Sequence, residues 1–183
     1  ACATAPAIFA KRKRVGPPSL RRAARDTSPA RGEESDSAMA VYTVLSAADL
    51  DALLAQYDLG ALTSCEGVAE GVENTNYRLA TARGRFILTI FEKRTREADL
   101  PFFLAVMERL AARGFPAPQP IAARDGGYLA RVKDKPAAIV SFLDGDWPRA
   151  PGVAHCAAIG AALARMHVAL DGLGVTRANA LSV

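Results

Sequence analysis

Gly71-Val72-Glu73-Asn74-Thr75-Asn76-Tyr77-Arg78-Leu79, followed after Ala82-Arg83 by Gly84-Arg85-Phe86-Ile87-Leu88-Thr89-Ile90-Phe91, is the stretch on which the fold turns. Phe86 to Phe91 are β-branched or aromatic at every position except Leu88, which predicts a buried strand over 85–91. Asn74–Thr81 is a second predicted strand, set off from the first by the turn signal Ala82-Arg83-Gly84. Upstream, Leu62–Glu70 is a third. Gly71 and the two asparagines therefore sit in a turn between strands. Such a turn can bring backbone N–H groups and short polar side chains to a phosphate. The same residues also suit an ordinary hairpin.

Working outward, Ser46 and Asp49 have the spacing of a capping box, with Asp in place of the longer Glu. Leu50, Leu53, Leu54 and Tyr57 follow at helical spacing, and Gly60 closes that helix. Downstream, Asp99 suits the N-cap of a helix over 99–113, and Pro101 is tolerated in its first turn. Leu100, Phe103, Leu104, Met107 and Leu110 give its apolar face. Gly114 ends it, and Pro116, Pro118 and Pro120 make an extended connector. Tyr128–Lys133 and Ala137–Leu143 read as a hairpin around Asp134-Lys135-Pro136. A last helix runs from about Pro151 to Leu170, with Val153, Cys156, Ile159, Leu163, Met166 and Leu170 in register. The order of elements predicts an α+β lobe: a mostly antiparallel sheet of about five strands with a helix against it, then the start of a helical lobe.

The chain has 183 residues and a net charge of +4. Residues 1–38 hold eight basic and four acidic residues, which accounts for the whole excess, so the remainder is balanced and no nucleic-acid partner is expected. This leader, with Lys11-Arg12-Lys13-Arg14 and Pro17-Pro18, lacks apolar periodicity and is expected to be disordered. The chain begins with Ala1, and Met39 opens the first patterned sequence. An artefact of the assigned start, a genuine disordered tail and a targeting or nucleic-acid arm all remain open. Cys2, Cys65 and Cys156 are odd in number and far apart, which points to neither a disulfide framework nor a zinc site. A reducing, cytoplasmic setting is the expectation. No uninterrupted run of ~18 apolar residues is present, so no membrane partner is expected.

Residues 71–79 and 84–92, together with Met39-Ala40-Val41-Tyr42-Thr43, resemble the amino-terminal lobe of homoserine kinases, within the aminoglycoside phosphotransferase/choline kinase-like superfamily. Leu100–Leu104 with Leu110–Gly114 resembles that family's first-lobe helix, and Pro116–Pro120 the segment after it. Ala137–Gly145 resembles the strand and hinge between lobes. His155–Gly160 and Leu163–His167 resemble the helix beyond. The resemblance implies a two-lobed, protein-kinase-like fold: a leader over 1–38, an N-lobe with hinge over 39–145, and the incomplete start of a C-lobe over 146–183. It further implies ATP and Mg2+ as cofactors and transfer of the γ-phosphate to the hydroxyl of L-homoserine, a step of threonine synthesis. ATP would contact Gly71, Glu73, Asn74, Thr75 and Asn76 through its phosphates, and Ser141, Phe142 and Leu143 through its base.

Two departures stand out. Relatives in the wider fold often carry Lys or Arg on the third strand, where this chain has Thr89. The helix carboxylate that pairs with that base falls near Phe103. Lys93 is a substitute for the charge, with Glu92 or Glu97 nearby, although 93–97 also reads as a solvated loop. Second, the fold's catalytic Asp lies in a His-Gly-Asp-like loop, followed by an Asn and by a metal-binding Asp, and 171–183 contains none of these. No catalytic or metal-ligating residue is therefore expected in this chain, and by itself it is expected to be inactive. His155 and His167 lie about 18 Å apart along one helix and do not form a pair. The alternatives are a kinase of another small hydroxyl substrate, an amino alcohol or aminoglycoside, and a non-catalytic nucleotide- or partner-binding module.

Overall fold

The computed structural model describes residues 41–69, 73–146 and 148–178. The leader over 1–38, Gly71, and Trp147 lie outside the described residues. Five strands form one sheet: β1 (Leu62–Val68), β2 (Thr75–Thr81), β3 (Gly84–Ile90), β4 (Ala130–Val132) and β5 (Lys135–Ser141). Their order is β1-β2-β3-β5-β4, and every pairing is antiparallel. Among the described residues three helices accompany them: α1 (Ala47–Leu54), α2 (Leu100–Ala112), entered through a 3-10 turn at Glu97–Asp99, and α3 (Val153–Leu170).

Strand alternation gives the sheet two unlike faces. On one, Tyr77, Leu79, Phe86, Leu88, Ile90, Ala137 and Ile139 join Leu50, Leu53 and Tyr57 in a single core. Leu53, Leu79, Leu88, Ile90 and Ile139 are at most 1% exposed, and each such burial contributes about 1.5–3 kcal/mol. We call this the core face. On the other, the open face, Asn76 pairs with Thr89 and Arg78 with Ile87, and Ala138 also pairs with Thr89. Leu100, Leu104 and Leu110 of α2 are buried but are not members of the core-face cluster.

The expected capping box is present. Ser46 N–H donates to Asp49 Oδ2 at 2.8 Å, and Asp49 N–H donates back to Ser46 Oγ at 3.2 Å. The helix stops at Leu54, short of Gly60, which instead turns the chain into β1 with φ +74°. The β4–β5 turn lies at Lys133-Asp134, earlier than Asp134-Lys135-Pro136. A two-residue hairpin needs positive φ at both central positions. Lys133 and Asp134 adopt 48° and 61°, which proline's ring forbids. Pro136 is carried into β5 instead, next to Ala137, the last residue paired with β3.

Asp99 stands at the N-cap position of α2 but makes no capping hydrogen bond. Its carboxylate is engaged elsewhere, as described below. α3 has its expected span, yet none of its residues is buried, and Val153, Ile159 and Val168 are at least two-thirds exposed. With a mean hydropathy of 1.5 over 18 residues, α3 is long and apolar enough to cross a membrane by length and composition alone. His155, Arg165 and His167 interrupt its apolar sequence. Arg109 of α2 fastens its far end, donating to the carbonyls of Ala169 at 3.3 Å and Asp171 at 2.7 Å.

Candidate functional site

The open face near the start of β2 gathers part of the expected set. Thr89 Oγ1 donates to Asn76 Oδ1 at 2.8 Å. Thr89 therefore fixes the Asn76 amide and leaves its NH2 donors unspent among the described residues. Ala80, Ile87, Ala138 and Val140 share this face and give it an apolar floor. Asn74 Oδ1 accepts from Glu92 N–H at 3.2 Å and from Thr95 Oγ1 at 3.3 Å. These bonds tie the β1–β2 loop to the segment leaving β3.

Thr75 is not brought to this face. It is fully buried on the core face, where its Oγ1 accepts the N–H groups of Tyr42 and Thr43, both at 3.0 Å. It donates to Glu92 Oε1 at 2.8 Å, as does Thr43 Oγ1 at 2.6 Å. Lys135 Nζ completes this cluster by pairing with Glu92 Oε2 and with Thr43 Oγ1. Desolvation pushes the Glu92 carboxyl up, but hydrogen bonds from Lys135, Thr43 and Thr75 and the Lys135 charge outweigh it and hold the group below its usual range. Glu92 is thereby spent on Lys135, and not on Lys93.

Lys93 is exposed and borders a cavity of about 320 Å³ with Tyr42, Glu73, Glu92 and Arg94. At the opposite end of the sheet, Ser141 closes β5, and its Oγ accepts Gln119 N–H at 2.9 Å. Phe142 lies with its ring 4.6 Å from the Arg85 guanidinium and 5.7 Å from that of Arg78. Arg85 also forks onto Asp144 at 2.6 and 2.8 Å. Leu143 is 46% exposed. The expected base-side and phosphate-side residues thus lie at the two ends of the same sheet.

A second cavity, of about 440 Å³, lies between the 73–74 loop end, the segment after β3, α2 and Arg177. Asp99 is buried in its wall and receives Arg96 Nε at 3.1 Å and Nη2 at 3.0 Å. Arg177 Nε approaches the same carboxylate at 2.9 Å, with its N–H aimed off the oxygen. Arg96 foremost, working against desolvation, and then Arg177 hold the Asp99 carboxyl below its usual range. The Arg177 guanidinium also lies 5.2 Å from the ring centroid of Phe103, the position where a helix carboxylate was sought. Sequence reasoning missed this cluster. Asp99 carried an N-cap signature, and nothing in 171–183 marks Arg177.

Among the described residues no group of three His, Cys, Asp or Glu side chains could hold a metal ion. The two histidines do not meet: His155 Nδ1 accepts Gly152 N–H at 3.0 Å at the head of α3, and His167 is exposed near its end.

Comparison with known proteins fits this geometry. The chain is 56% identical over 145 residues to a homoserine kinase of Rhodospirillum rubrum, which takes in 79% of this chain and 45% of that relative. It is equally similar to a homoserine kinase of Rhodopseudomonas palustris, of which it covers 44%. The chain thus spans less than half the length of these curated relatives. Among solved structures, an amicoumacin kinase in complex with AMP-PNP and Ca2+ superposes with a TM-score of 0.56 at 18% identity. That match covers 70% of this chain and 40% of the other, and it shows the fold. The family model for phosphotransferase enzymes, APH, matches residues 64–181, well over half of the sequence, and the chain belongs to this phosphotransferase enzyme family.

Proposed function

We propose that these residues form the nucleotide side of an ATP-dependent homoserine kinase. The observation that carries the reading is the 56% identity to homoserine kinases over 79% of the chain. In this reading the adenine rests on Ala80, Ile87 and Val140 beside Ser141, Phe142 and Leu143. The phosphates lie beside Asn76, whose NH2, with its carbonyl held by Thr89, donates to a phosphate oxygen. Lys93 adds positive charge at the loop's outer edge. Asn74 and Thr75 act indirectly, by fastening the loop base to the segment leaving β3 and to the core face.

The reaction moves the γ-phosphoryl group from ATP to the acceptor hydroxyl. The O–P bond to ADP breaks, a new O–P bond to the hydroxyl oxygen forms, and the hydroxyl proton leaves to a base. Magnesium, when bound, neutralises charge on the phosphates. No described residue is placed to take the hydroxyl proton, so turnover by the 183 residues alone is not expected.

The test is homoserine-dependent ADP release by the product of the complete coding sequence. Homoserine is compared with 3-aminopropan-1-ol and with an aminoglycoside, and the 183-residue chain is run in parallel. The reading expects homoserine to be the preferred acceptor and the 183-residue chain to bind nucleotide without turnover. Preference for the aminoglycoside would move the protein to another branch of the family. Ordinary turnover by the 183-residue chain would overturn the assignment of the base to other residues.

A further inference from the structure

The cavity beside α2 contains more charge than nucleotide binding explains. Arg94, Arg96 and Arg177 line it together with only two carboxylates, Glu73 and Asp99. Asp99 is already taken by two guanidinium groups. Its contact with Arg177 is made at Nε, at 2.9 Å, and no hydrogen bond from either Nη group of Arg177 is formed among the described residues. Phe103 lies against the guanidinium, which fixes its plane. The result is a guanidinium held from behind by Asp99 and Phe103, with its Nη edge unspent in a cavity of about 440 Å³. A planar fork of this kind matches a carboxylate.

Glu73 is the carboxylate in the lining that no guanidinium pairs with among the described residues. A carboxylate there repels phosphate oxygens but suits an ammonium group. A lining that combines guanidinium groups, the Glu73 carboxylate and the apolar Phe91, Leu104 and Met107 suits a small zwitterion. Building on the homoserine-kinase reading, we propose that this cavity holds the acceptor amino acid, with Arg177 anchoring its α-carboxylate and Glu73 meeting its α-ammonium. Asp99 is a positioning residue for Arg177. In this arrangement the carboxylate is what the site selects, and an amino alcohol that lacks it is rejected.

The experiment uses the protein expressed from its complete coding sequence. Kinetic constants are measured for homoserine, for its decarboxylated analogue 3-aminopropan-1-ol and for ATP. Replacing Arg177 with Gln should raise KM for homoserine about 10- to 100-fold, the size of a charge-assisted hydrogen bond. It should leave KM for ATP unchanged and collapse the preference for homoserine over 3-aminopropan-1-ol. Arg177→Lys keeps the charge without the fork and should retain part of that preference. The ratio between the two acceptors is insensitive to a general loss of folded protein, so a destabilised variant remains informative. An active wild type whose preference survives in Arg177→Gln overturns the proposal alone. A wild type with no homoserine turnover overturns the homoserine reading and the proposal with it.

Discussion

Thr89 and Asn76 face each other across β2 and β3, with the threonine hydroxyl 2.8 Å from the asparagine carbonyl oxygen. At the position where a strand cation is expected, this protein orients an amide. Thr89→Val removes the donor and lets the amide rotate. The expected outcome is nucleotide affinity weakened about 3- to 10-fold, the net worth of one hydrogen bond. Calorimetric titration with ATP checks it, with the melting temperature as a control for folding.

Glu92 and Lys135 pair under the 41–45 segment, with side chains 11% and 35% exposed. Because the folded carboxyl titrates below its ordinary value of 4.5, it binds protons less readily than in the unfolded chain. Its contribution is therefore complete above that value and is lost as pH falls through the lower, folded value. Glu92→Gln should cost about 1–2 kcal/mol at pH 7, a figure discounted for the partly solvated lysine. The difference from wild type should shrink below pH 4. Urea unfolding at several pH values measures both.

Tyr57 is 2% exposed, and its hydroxyl has no hydrogen-bond partner among the described residues. Burial pushes its pKa up to about 12. Tyr57→Phe should be neutral or stabilising by up to about 1 kcal/mol, since an unsatisfied buried hydroxyl is removed. The unfolded tyrosine ionises near pH 10 while the folded one stays neutral, so wild type loses stability as pH rises above 10. The variant should lose less, which thermal melts at pH 8 and 11 will show.

Asp134 holds φ +61° in the β4–β5 turn. The neighbouring Arg131 reaches its backbone carbonyl, not its side chain. Asp134→Gly removes the left-handed strain and keeps that bond. The expected gain is about 0.5–1 kcal/mol, read from the urea midpoint.

Ile159 and Leu163 are 67% and 47% exposed on α3. Apolar surface of this kind drives association. The 183-residue chain should self-associate at micromolar concentration, and the double variant Ile159→Glu, Leu163→Glu should shift it toward monomer. Light scattering across a dilution series decides the point.

Local chemistry made much of the fold legible. The Ser46–Asp49 box, the apolar run of β3 and the repeat of α2 are written in adjacent residues, where propensity and spacing operate. The turn at Lys133-Asp134 was misplaced because Pro136 is a strong turn residue by composition, and only its actual φ excludes it there. The site was less legible. Glu92 finds Lys135, and Asp99 finds Arg177, across long stretches of chain, and no periodicity encodes such meetings. Asp99 also carried a competing signature, since an aspartate before a helix ordinarily caps it. Thr75 falls in the predicted strand and among the expected phosphate contacts, but strand alternation turns its hydroxyl inward, away from its neighbours Asn74 and Asn76.

The core-face cluster is made of residues up to Ile139, with α1 and all five described strands complete by Ser141. Each strand pairs antiparallel with neighbours brought round by turns and one helical excursion. During synthesis, then, everything required to bury Leu53, Leu79 and Leu88 leaves the ribosome ahead of α3. Chains generally fold as units in that order. The sheet can close as the nascent chain grows, so that α3 emerges beside a finished surface to which Arg109 can fasten it.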